Sequence, residues 1–381
     1  MEKLGGLKKM HSDKFKLDNA KAKKYSNTKL FFSIGEAILS FILLLLFLIL
    51  GYSQKLENYL SIYISGKYFL LLAYVAVLGI GTSIIFSPIN YFTGFYLEHK
   101  YNLSNQTFWK WIIEGFKSIL VGTVIGTPIL LLFYFVLNEF QYLWWLPFAC
   151  LMFIISVLLA QIVPILILPI FYKITPIENE TLKDRILVLS KDAGLKVQNV
   201  FKFDMSKNTK KANAAFTGLG KTKRILLGDT LLDNYTEDEI ETVIAHELGH
   251  YKKKHIIKNI LIGTVSSFLI FYLIAILHRA TLFIFGFTEI TQIASLPLII
   301  LWGALISLFQ NPISNYISRK FEYEADYYAV KATNKKDAFV NTLNKLTDQN
   351  LGDRQPNKFV EWFFYSHPSI ANRVKAIQEI K

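Results

Sequence analysis

Cysteine is almost missing from this chain of 381 residues: the single Cys150 stands inside an apolar run, so no intrachain disulfide can form and a thiolate metal site is excluded. Charge is sparse as well. Charged residues make up 19% against 52% hydrophobic, with a mean hydropathy of +0.33, a balance that places the chain in a membrane rather than in water. No signal-peptide arrangement with a small-residue cleavage site precedes the first apolar run, which therefore reads as a retained helix. Internal repeats are missing too, and this counts against a transporter built from repeated halves. The formal charge of +13 would suit nucleic acid, but the lysines cluster beside apolar runs. Control of topology and attraction to anionic lipid explain them there, so no nucleic-acid partner is expected.

What is present is a series of apolar runs long enough to span a bilayer, over 31–51, 68–92, 118–137, 143–169, 257–277 and 293–313. The sequence predicts a mainly α, polytopic membrane protein of about six transmembrane helices, with a small α+β unit at the cytosolic face. Ser87, Pro88 and Asn90 would bend or hydrate the end of the second span, Pro128 would kink the third, and Gln161 with Pro164 interrupt the fourth. Four segments result: 1–170 with a lysine-rich start and four spans, 171–256 as a polar α+β unit, 257–315 with two spans, and 316–381 as a helical tail.

Within the polar unit, 179–192 has helical periodicity and Ala193-Gly194 ends it, 197–205 reads as a strand, and 213–232 reads as a hairpin turning around 218–222. A strand just ahead of a metal helix can take an extended peptide along its edge, or can be purely structural.

The stretch that carries chemistry is TEDEIETVIAHELGHYKKKH, Thr236 to His255. Thr236 with Glu239 three residues on forms a capping box, so a helix is expected to start there. On it His246 and His250 share a face with Glu247 beside them, the HExxH arrangement. Chance produces this pentapeptide in about one chain of this length in a hundred, and its plain reading is two surface histidines. Its chemical reading is a zinc site. Two neutral imidazoles suit Zn²⁺, a position stays open for water, and Glu247 takes a proton from that water as it attacks a carbonyl. Lys253 and Ile256 stand where glycine and a third histidine would complete HExxHxxGxxH, so the third ligand must come from farther along. The metal helix is expected to run directly into the span at 257–277.

In SRKFEYEADYYAV, 318–330, Glu322 and Asp326 lie four apart on one helical face. Glu322 is a candidate third ligand, and Asp326 a candidate acceptor for the second N–H of a ligating histidine, although such faces are more often solvated. In WFFYSHPSIANRVKAI, His367 precedes Pro368 at a helix start, with Arg373 six residues on. Both can hold a peptide carbonyl or a developing oxyanion, or be surface groups.

The motifs EHKYNLSNQTFWKW, NAAFTGLGKTKRILLGDTLL, HELGHYKKKH, SRKFEYEAD and YSHPSIANR, in this order, resemble the integral-membrane zinc endopeptidases of the type 1 CAAX prenyl protease family, from about residue 11 to the end. By this resemblance His246, His250 and Glu322 match the ligands of one zinc ion, Glu247 the catalytic glutamate, and Asp326 the carboxylate behind a ligating histidine. His367 and Arg373 match tail residues lining the cleft, and Asn213 with Ala214 the start of a substrate-binding edge strand. The resemblance implies a seven-helix barrel around a chamber, of which six helices are expected here. It further implies removal of aaX from prenylated CaaX peptides or proteins at a bilayer surface that a lipidated substrate reaches by partitioning.

Other readings stay open. Where no prenylated proteins exist, the same machinery would degrade damaged membrane proteins as a quality-control protease. A transporter with a structural metal, or a non-catalytic scaffold, fits the spans but leaves Glu247 without a task. Lysine-rich short flanks put the site toward the cytosol, in a bacterial inner membrane in preference to an endoplasmic reticulum.

Overall fold

The computed structural model describes residues 19–195, 197, 199–217 and 224–381, and the backbone alone for 2–18. Among the described residues six helical stretches are long and apolar enough to cross a membrane: Asn19–Ile49, Lys67–Lys100, Phe108–Leu143, Trp145–Phe171, His255–Thr281 and Ile293–Thr333. Each overlaps one of the six expected spans, the first ending at Ile49 rather than 51 and the fourth starting at Trp145 rather than 143. The first four are built from α1 (Glu2–Ile49), followed by the short α2 (Tyr52–Tyr63), then α3 (Lys67–Tyr91), α4 (Leu97–Lys100), α5 (Phe108–Phe140), α6 (Trp145–Ile162) and α7 (Leu168–Phe171).

Neither expected interruption is a break: Pro88 stays inside α3 with a π-helical turn after it, and Pro164 lies in a second π-helical turn. Phe92–Tyr96 joins α3 to α4 and Val163–Ile167 joins α6 to α7. A proline has no N–H to give its helix and crowds the preceding turn, and the widened turn just ahead of Pro169 accommodates both. The third span begins at Phe108, well before 118. Thr107 caps it by accepting from the Lys110 N–H, and Phe108 and Trp111 pack against Tyr91 and Phe95. Interleaved lysines hide this first stretch from a hydropathy reading, while aromatic packing holds it helical.

The polar unit comprises β1 (Ile174–Pro176), α8 (Glu180–Asp192), β2 (Val200–Phe203), β3 (Ala214–Thr217), β4 (Arg224–Gly228), α9 (Asp229–Asn234) and α10 (Glu237–Lys252). Asn179 caps α8 by accepting from Leu182, and Gly194 with φ 81° closes it. The sheet runs β1-β2-β4-β3, with β2 parallel to β4 and the outer pairs antiparallel. The turn expected at 218–222 lies outside the described residues. One face of α10, formed by Ile240, Ile244 and Leu248 at helical spacing, packs in a single core with Ile186, Val200, Ile225 and Leu227.

After α10 come α11 (His255–Thr281), α12 (Leu296–Thr333), α13 (Lys336–Gln349), α14 (Lys358–Phe364) and α15 (Ile370–Glu379). Two expectations need correcting. The metal helix does not run into the fifth span: α10 ends at Lys252, Lys254 takes φ 57°, and α11 starts afresh. Three consecutive lysines keep this corner in water and mark the helix C-terminus. The sixth span and the 318–330 helix are, by contrast, one continuous α12 of 38 residues.

A second core, with Leu71, Tyr74, Leu137, Trp144, Phe287 and Leu298 nearly sealed, holds the spanning helices together near the other end of α12. The polar unit should therefore melt separately from this core. Ile244→Ala, at a position with 0% exposure, should cost about 2–5 kcal/mol. In detergent a lowered Tm with little change in far-ultraviolet helicity is expected, and an unchanged Tm would count against this core.

Candidate active site

The site is made where α10 crosses α12. The capping box is formed: Thr236 Oγ1 accepts from the Glu239 N–H, and Glu239 Oε2 accepts from the Thr236 N–H. Arg185 of α8 reaches Glu237, Asp238 and Glu241, and Lys335 reaches the last two, fixing the start of α10 from both sides. Farther along, Gly249 faces Ala325. A Cβ on Gly249 would lie 2.9 Å from the Ala325 Cα and 3.0 Å from its carbonyl oxygen, closer than packed atoms allow. Only glycine permits this approach.

The approach brings three donors together. His246 Nε2 lies 3.2 Å from His250 Nε2 and 3.4 Å from Glu322 Oε2, and His250 Nε2 lies 3.3 Å from Glu322 Oε1. A tetrahedron with metal–ligand bonds of 2.0–2.1 Å has edges of about 3.3–3.4 Å, so the spacing fits one zinc-sized ion. Glu322 is buried, and its Oε2 accepts no well-aligned hydrogen bond although His367 Nδ1 stands 2.9 Å away. A cation is the partner that such an oxygen lacks. His246 is pushed down by burial, but hydrogen bonds to Asp326 and Glu322 outweigh this and lift its pKa to about 9.

Behind the donors, Asp326 Oδ1 sits 2.8 Å from His246 Nδ1 and is clasped by Arg373, whose Nε reaches Oδ2 at 2.8 Å and whose Nη2 reaches Oδ1 at 2.5 Å. Arg373 is buried, with Nη1 3.7 Å from Glu322 Oε2, whereas the His367 side chain is 65% exposed. Glu247 follows His246 on α10 and is half-buried. β3 is the outermost strand. The Asn213 carbonyl accepts from the Gly228 N–H. Backbone groups of an antiparallel strand alternate sides, so the N–H and C=O of Ala214 face away from β4. Among the described residues no strand pairs with that side.

Three contributors escaped the sequence reading. Arg319 donates to the carbonyls of Glu361, Trp362 and Tyr365 at the end of α14, and Glu361 accepts from the Ser369 N–H, so together they hold the turn that carries His367. Nothing in their spacing announces this. His255 touches His250 Nδ1 at 3.0 Å. Its signal was a third histidine in the same stretch, five residues past His250 and so off the helical face. If the α10–α12 approach builds the site, Gly249→Ala should leave a helical protein destabilised by about 1–3 kcal/mol. Metal content after purification should fall well below that of the unaltered chain, and full metal content would refute this role for Gly249.

Known proteins resemble this chain over most of its length. The model of peptidase family M48 matches residues 176–381, and the model described as CAAX prenyl protease N-terminal, five membrane helices, matches 9–173. An uncharacterized metalloprotease of Bacillus subtilis, YhfN, is 31% identical over 360 residues, covering 93% of this chain and 84% of that protein. CAAX prenyl protease 1 of Saccharomyces cerevisiae is 33% identical over 329 residues, 81% of this chain and 72% of the yeast protein. The crystal structure of S. mikatae Ste24p superposes with a TM-score of 0.86 at 30% identity, covering 94% of this chain and 89% of that one. A chain with this helical frame, this His–His–Glu cluster and these relatives belongs to peptidase family M48, in its CAAX prenyl protease branch, and is a multi-pass membrane metalloendopeptidase.

Proposed function

We propose that the chain removes the aaX tripeptide from prenylated CaaX carboxyl termini, using one zinc ion held by His246, His250 and Glu322 on the cytosolic side of the membrane. The observation that carries the chemistry is the set of three donors at tetrahedral-edge spacing, two of them on the helix that carries Glu247. The substrate class rests on the family and on the placement of Glu322 on a helix that continues from a spanning segment. A lipidated peptide concentrates at that depth by partitioning, and an unlipidated one does not.

Zinc, when bound, supplies Lewis acidity toward a carbonyl oxygen and toward water. Glu247 takes the proton from the attacking water and returns it to the nitrogen of the departing peptide. The open side of β3 takes the substrate backbone through the N–H and C=O of Ala214, with Asn213 anchoring the strand by its bond to Gly228. His367, exposed and beside Glu322, is free to meet the scissile carbonyl. Arg373 is engaged with Asp326, so its task is to hold that carboxylate against His246.

Glu247→Gln should keep metal content and lower kcat by about 10²–10⁴, since the carboxamide cannot accept the proton. Wild-type turnover by that variant, measured on any peptide that the enzyme cuts, would refute the general-base assignment. For the substrate, detergent-purified protein is given a farnesylated CaaX peptide and its unprenylated twin, with and without a chelator, and products are read by mass spectrometry. Chelator-sensitive loss of aaX from the lipidated peptide alone is expected. Equal cutting of both would favour a broad membrane quality-control protease instead.

A further inference from the structure

His255 opens α11 immediately after the lysine turn and takes no part in the reaction described above. It is 1% exposed and stacks on Phe321, with ring centroids 4.1 Å apart and planes 8° from parallel. Both ring nitrogens are engaged. Nδ1 lies 3.0 Å from His250 Nδ1, and Nε2 lies 3.1 Å from Glu324 Oε2, beside which Lys258 Nζ stands at 3.7 Å.

We infer that His255 and Glu324 form a positioning pair that sets the tautomer and ring angle of His250, as Asp326 and Arg373 do for His246. The argument rests on the metal site proposed above. Two facing imidazole nitrogens make a hydrogen bond only if one carries the proton and the other does not. His250 turns Nε2 toward His246 and Glu322, so as a ligand it keeps that lone pair free and carries its proton on Nδ1. The proton then points at His255 Nδ1, which must be bare, and His255 must carry its own proton on Nε2. There the Glu324 carboxylate, an acceptor only, receives it.

The opposite assignment fails at both ends. It would aim a lone pair of His255 at a carboxylate and an N–H of His250 at the metal position. Glu324 therefore selects the tautomer of a ring that it does not touch. An intervening imidazole also avoids a cost. Glu322 and Asp326 already place two buried carboxylates at the site, and a third directly on His250 would add an unbalanced charge. Glu324, with 32% of its side chain exposed, keeps its charge near solvent and beside Lys258, while the buried ring carries its influence inward.

The test measures zinc affinity of the detergent-solubilised full chain by competition with a fluorescent chelator, together with the visible absorption of its Co²⁺ form. His255→Phe keeps an aromatic ring to stack on Phe321 but removes the hydrogen bonds. It should weaken zinc binding by about 10- to 100-fold and shift the cobalt bands. Glu324→Ala should move both readouts in the same direction. Glu324→Gln retains an acceptor oxygen and should stay close to the unaltered protein. Unchanged affinity and spectrum in folded His255→Phe, or in Glu324→Ala if the first does not fold, would overturn the pair. Equal loss in Glu324→Gln and Glu324→Ala would do the same. His250→Ala in the same assay checks the ligand set separately: retained zinc there would overturn the metal site itself rather than its positioning.

Discussion

Everything at the site depends on how closely two helices can approach. Gly249 on α10 meets the backbone of Ala325 on α12 with no room for a methyl group. On α10 the glycine sits between Glu247 and His250, and on α12 Ala325 sits between Glu322 and Asp326, so the contact lies inside the cluster that it assembles. As the proposed metal ligands, donors 3.2–3.4 Å apart would tolerate little drift, because metal–ligand distances are fixed to about 0.2 Å. The glycine in HELGH is therefore a condition of the chemistry although it carries none.

Around that contact the polar groups are arranged so that burial does not leave charge uncompensated. Asp326 is clasped by Arg373 and also faces His246, and Glu322 faces both histidines. A buried pair of this kind adds little net stability, but removing one partner leaves a stranded charge and costs about 3–5 kcal/mol. Its value lies in fixing ring orientation. The two histidines are held by separate chains of contacts that begin at Asp326 and Glu324, two positions apart on α12, so one helix orients both rings and also supplies Glu322.

The continuity of α12 links the site to the bilayer. One helix, long and apolar enough to span a bilayer, also carries three acidic groups in its final turns, so in the proposed function it would fix the depth at which a substrate presents its bond. The left-handed turn at Lys254 does the complementary work: it lets α11 leave α10 at a new angle, so that His255 returns against His250 rather than continuing along the metal helix.

Much of this was legible in the sequence, for identifiable reasons. Apolar runs of about twenty residues have few alternatives to spanning a bilayer, so six spans could be located from composition. A capping box and a four-residue histidine spacing are local, set by helix geometry alone, and they located α10 and one face of the site. Shared spacing made Glu322 and Asp326 candidates in the same way. Beyond one helix this logic has no reach. That Ala325 is the surface against which Gly249 closes, that Arg373 clasps Asp326, and that Ala214 turns its backbone to the open side of β3 are facts of packing between segments distant in sequence. His255 shows the boundary most clearly. Its identity was visible in HELGHYKKKH, but five residues from His250 on a continuous helix it would point away. The break at Lys254 returns it to the site, and only tertiary structure decides where a chain bends, because competition between lysine solvation and helix continuation is settled by what α11 packs against.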